Sequence, residues 1–222
     1  MSKADSQEGL MSALTTEHFV MQGAISSSVS EQQARASMFL YFLSGALVAI
    51  GFLSESKAML PVVATILFVL FVSGLLTTLR LIDIGMESLQ SHVMVARIRA
   101  HYRSLGGTAK TMFDPGHGRW PEGRTDSGRI SGPFLGLMTT AASMIACVNG
   151  VVGGSLVALL LHWLAHLSLG PAIGLGALFA LVKVAGFYLY QGRRIARVSD
   201  LATEAGLRVG DDRGPSEMRS TR

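Results

Sequence analysis

The sequence predicts an all-α polytopic membrane protein: four transmembrane helices set as two hairpins, with a cytoplasmic helical extension after the second span. Three observations carry that prediction. Met59 to Leu79 are 21 consecutive residues without a charge, about 31 Å of helix at ~1.5 Å per residue and so long enough to cross the hydrocarbon core of a bilayer. Residues 133–190 form a second apolar tract, 58 residues long, whose only charge is Lys183. The 222-residue chain is 49% hydrophobic and 15% charged, with a mean hydropathy of +0.42, whereas a soluble domain carries roughly a quarter charged residues.

The elements divide the chain into five parts. Residues 1–36 form a cytoplasmic N-terminal segment, polar and frayed to residue 13, then helical from Thr15. Thr15 can cap that helix, Glu17 suits its first turn, and Met21, Ile25, Val29 and Ala36 recur at helical spacing. Glu31 and Arg35 make a favourable (i, i+4) pair. The segment reads either as an interfacial helix or as an extension of the first span. Residues 37–105 hold the first transmembrane hairpin and its extension. The first span, Ser37 to Leu53, is short at 17 residues. Phe39, Tyr41 and Phe42 mark its interface, and Gly45 with Ala49 is a small-xxx-small pair that permits close helix approach. Ser54 to Lys57 leave room for a tight turn alone, and Pro61 falls in the first turn of the second span, where its missing N–H costs nothing. Beyond Leu79 the helix continues with Ile82, Met86, Leu89, Val93, Ala96 and Ala100 stepping by four and three. That stripe needs a partner helix, either the N-terminal helix of the same chain or the same stripe of another copy.

Residues 106–132 break the periodicity: seven of these 27 residues are glycine, with Pro115 and Pro121 among them. They read as a cytoplasmic linker, and no GxxxxGK[ST] phosphate loop is present. Residues 133–191 form the second hairpin, with spans near 136–160 and 171–190 separated by a turn holding His162, Trp163, His166 and Gly170-Pro171. Gly150 and Gly154 make a GxxxG in the third span, and Gly170 with Gly174 repeats the spacing. Residues 192–222 are a basic tail. Lys and Arg number 2, 8 and 7 in segments 1–37, 80–130 and 192–222, against 1 and 0 in the two short turns. The excess places both termini and the middle segment in the cytoplasm.

The net charge of +4 and pI near 9.6 reflect basic residues flanking apolar runs, which points to lipid headgroups and not to nucleic acid. The single cysteine, Cys147, excludes an intramolecular disulfide and a CxxC metal site. The first 36 residues lack the apolar core and cleavage site of a secretory signal. The spans contain no Asp or Glu, so paired-acid catalysis and proton coupling through buried carboxylates have no candidates. His162 and His166 lie one helical turn apart, a zinc-like spacing, but no carboxylate or Cys completes a set, and they read as interfacial residues beside Trp163. Neither catalytic, cofactor nor metal residues are assigned. Ser143, Cys147 and Asn149 read as interhelical hydrogen-bonding groups. Lys183 and Asn149 are the candidate polar-pathway residues: Lys183 either snorkels to the cytoplasmic interface or faces the bundle interior, and Asn149 falls near mid-membrane. Sharing a lumen, the two would favour anions.

The run Thr15 to Ala24, then Ser30-Glu31 through Arg35-Ala36-Ser37, with Gly74 to Arg80 and Ile98 to Arg103, resembles uncharacterised small integral membrane proteins of high-GC bacteria. That resemblance covers roughly residues 15–105 and implies a bacterial inner-membrane location without an activity. In layout the chain is also similar to the SLATT-like and Pycsar-type transmembrane effectors of bacterial antiviral defence. These have an N-terminal helix, a tight two-span hairpin and a helical continuation, and damage the membrane when activated. This layout resemblance implies a trigger on the cytoplasmic side, a protein or a small nucleotide signal. The chain departs from it in having a second hairpin and no recognisable nucleotide-binding domain. The expected function is a self-associating membrane effector or channel-like homo-oligomer. The alternative is a non-conducting scaffold or sensor subunit that recruits a partner through residues 80–130.

Overall fold

A computed structural model describes residues 3–53, 59–114, 121–122 and 140–204. Its elements are α1 (Lys3–Phe52), α2 (Met59–Ser104), α3 (Thr108–Met112), α4 (Ala141–Trp163) and α5 (Leu169–Glu204). No strand occurs among the described residues. Four of the helices, all but α3, are long and apolar enough to cross a membrane. The turn expected at Ser54 to Lys57, most of the 106–132 linker and the end of the basic tail lie outside the described residues.

Several boundaries differ from the sequence expectation. α1 is one helix of 50 residues, so residues 3–13 are helical instead of frayed. They are mostly good helix formers with Asp5 in the first turn, and no proline interrupts the chain before Pro61. Thr15 is therefore no cap. It lies inside the helix, and its hydroxyl donates back to the Met11 carbonyl at 2.9 Å. The third span starts at Ala141 and not near 136, because Thr140 caps it: its extended backbone stops the helix, and its side chain accepts from the Ser143 N–H. The fourth helix starts at Leu169, placing Pro171 in its first turn, and runs to Glu204 through part of the expected tail. Linker residues 108–112 form a short helix.

The chain divides into two compact units. One gathers residues 1–28, 86–130 and 194–222. Within it the α2 stripe is covered by the same chain: Met86, Val93 and Ala96 are buried, as are Ile98 and, on α5, Val198. The facing stripe on α1 steps through Met11, Leu14, His18, Met21, Ile25 and Ser28, all half-buried. That is a heptad-like row, the spacing that lets two helices keep contact along a seam. Val29, expected on this face, is exposed. The start of the linker is pinned to α2. Tyr102 and Phe113 stack with ring centroids 5.1 Å apart, Arg103 donates to the Phe113 carbonyl at 2.9 Å, and Arg99 donates to the buried Glu122 carboxylate at 2.8 Å. Arg103 faces the other oxygen of that carboxylate.

The other unit gathers residues 29–85 and 131–193. At its polar end Glu31 of α1 accepts from Arg35 at 2.8 Å and from Arg80 of α2 at 3.2 Å. The hydrogen bond from Arg35, with help from Arg80, holds the Glu31 carboxyl below its ordinary value. Away from that end the unit is apolar, and its helices meet at glycines.

Candidate functional site

The candidate site is the polar group set inside the apolar unit, and small residues make it possible. α4 meets α5 where Gly154 faces Gly176. A Cβ on Gly154 would lie 2.6 Å from the Gly176 carbonyl oxygen, and one on Gly176 would collide with the Gly154 carbonyl in return. Only glycine lets the two backbones approach this closely. One turn earlier on α4, a Cβ on Gly150 would stand 3.0 Å from Val184. The GxxxG of the third span is thus engaged inside the chain. Gly45, by contrast, has nothing within 4 Å of its would-be Cβ, and neither do Gly170 and Gly174. Ala49 is exposed beside Gly45.

Asn149 lies on the face of α4 turned to α2 and α1. It is fully buried, and its side chain fills the space where a Cβ on Gly74 would be, with the Phe39 ring alongside. Neither its amide nitrogen nor its amide oxygen has a hydrogen-bond partner among the described residues. On α2 the Gly74 carbonyl takes a 2.7 Å bond from the Thr78 hydroxyl. A buried amide without partners costs about 1–3 kcal/mol.

Lys183 sits on α5 with its amine turned inward. The nitrogen lies 5.3 Å from the centre of the Phe71 ring, is closed to solvent and has no hydrogen-bond partner among the described residues. Phe71 in turn packs against Phe179, centroids 6.0 Å apart, and over Gly153. Cys147 is the polar neighbour that Lys183 and Tyr188 share, and the Tyr188 hydroxyl also bonds Ser143. Ser143 is fully buried and 2.8 Å from the Thr140 hydroxyl. Phe71 and Gly74 are one turn apart on α2, so Lys183 and Asn149 flank the same turn.

Sequence reasoning singled out Lys183 and Asn149 because polar groups in apolar tracts stand out. It missed Phe71, Gly153 and Gly176, which shape their surroundings but look like ordinary membrane residues; the Gly153-Gly154 doublet is the signal that could have marked the contact. His162 and His166 are exposed. His162 donates from Nδ1 to the Leu167 carbonyl at 2.8 Å, and His166 holds a left-handed backbone with φ 52°, so both serve the turn between α4 and α5. No group of three His, Cys, Asp or Glu residues able to hold a metal occurs among the described residues.

No protein-family model matches the chain, and neither the curated proteins nor the solved structures contain a match.

Proposed function

We propose that the chain is a multi-pass protein of a bacterial inner membrane, its four spans set as two hairpins with both termini and residues 80–130 in the cytoplasm. Several copies associate into a membrane effector or channel-like assembly governed from the cytoplasmic side. One observation supports this reading above the others. The membrane stretch of α1 buries only Phe39, while Gly45 and Ala49 stand open along it. Helices in lipid associate through faces of small residues, because lipid tails give apolar side chains no reason to leave them. The small-residue face of α4 is engaged within the chain, which leaves α1, together with Gly170 and Gly174 of α5, to meet another copy. The test is the mass of the purified protein in lipid nanodiscs together with dye release from proteoliposomes. A discrete oligomer that leaks is expected; a monomer in sealed vesicles overturns the reading.

The second reading, a non-conducting scaffold or sensor recruiting a cytoplasmic partner through residues 80–130, has its own support. Met112 of α3 is 74% exposed, although the segment carrying it is fixed to α2 by Phe113. An apolar side chain presented by an anchored segment suits a protein partner. A defined protein captured by the intact chain, and lost with Met112→Glu while vesicles stay sealed, would favour it.

A further inference from the structure

The Lys183 amine lies where neither packing nor charge balance accounts for it. Its nitrogen is closed to solvent and lacks a hydrogen-bond partner among the described residues. The apolar stretches 37–53, 59–79, 141–163 and 169–190 contain no Asp or Glu to neutralise it. The Phe71 ring, 5.3 Å away, stabilises a cation on one side but accepts none of its protons in a normal hydrogen bond. Protonation state does not remove the difficulty. An ammonium leaves three donors and a charge unmet, and a neutral amine leaves two donors and a lone pair unmet. A water molecule would satisfy donors and leave the charge. An anion satisfies both.

We propose that Lys183 is the cationic centre of an anion-binding site within the membrane helices, taking one singly charged anion. Phe71 backs the amine on one side. Cys147, which is exposed, is also near the amine, with Tyr188 as its further neighbour. The thiol is a weak donor and the phenol a stronger one, and both can donate to an anion. The shared chemistry is that of a halide or of the phosphodiester of an anionic lipid. Binding of this kind depends neither on the subunit number nor on whether solutes cross, so it stands apart from the function proposed above.

The experiment uses the full chain in nanodiscs of zwitterionic phosphatidylcholine, with chloride exchanged for gluconate at constant ionic strength. Chloride and bromide are expected to raise the unfolding midpoint on the order of 5 °C at saturation, and the chloride NMR line to broaden in a saturable way. Lys183→Met abolishes both effects, and Lys183→Arg retains them, which keeps the test open if the methionine variant fails to fold. A rise in gluconate on adding phosphatidylglycerol, with no response to halide, identifies the lipid phosphate as the anion. A wild-type midpoint indifferent to halide and anionic lipid alike, or a Lys183→Met protein that keeps the full shift, overturns the proposal.

Discussion

At the scale of single residues the apolar unit is governed by what is missing from certain positions. Gly154 and Gly176 lack side chains where two backbones touch. Gly154→Leu is expected to destabilise the protein by about 1–3 kcal/mol through overpacking, read as a lowered unfolding midpoint in nanodiscs. Asn149 makes the opposite case, because its amide is present and has no partner among the described residues. Leucine has nearly the same branching, so Asn149→Leu should raise stability by about 1–2 kcal/mol; a fall would mean that an unseen partner holds the amide. Of these residues Asn149 was legible in the sequence, since an amide in an apolar tract is conspicuous. Gly176 was not, because a glycine's neighbour cannot be read from its own surroundings, and the residues that frame Lys183 come from two other helices.

At the scale of elements, apolar length fixed the existence of the four long helices, while their ends depended on local chemistry. Thr140 stops α4 through a hydrogen bond that no hydropathy pattern encodes, and α5 continues past Tyr190 because nothing breaks it. The α1 stripe was only half legible, since its buried row includes His18 and Ser28, which a search for apolar periodicity passes over. The α4–α5 turn places His166 at φ 52°, tolerable for histidine but strained for a β-branched side chain. His166→Val should lower stability by about 1–2 kcal/mol, with His166→Gly tolerated, as thermal unfolding would show. Glu31, joined to Arg35 and Arg80, has its carboxyl held down in the folded state. Its contribution is therefore full above the unfolded value and is lost as pH falls through the lowered folded one. Acid titration of stability should show a step below 4.5 that disappears in Glu31→Gln.

At the scale of the whole molecule, the two units are organised by different rules. One joins helices along heptad-like rows, with Glu122 and Phe113 pinning the linker to α2. The other joins them through glycines and leaves the small-residue face of α1 uncovered. Replacing both Gly45 and Ala49 by leucine should therefore leave the folding of a single chain intact, since no neighbour is displaced at Gly45. On the self-association proposed above, its effect should appear in the mass of the nanodisc particle, as a shift toward monomer. Unchanged mass would locate self-association elsewhere.

The backbone contact between Gly154 and Gly176 has a thermal consequence. When most helices dock, side chains on both surfaces surrender rotamers, and that entropic loss grows in weight as temperature rises. Two glycines have no rotamers to surrender, and their backbone order is already set by the helices they belong to. The attraction between them is thus almost purely dispersive and is opposed by little ordering. On heating, this crossing of α4 and α5 is therefore expected to outlast contacts made by longer side chains.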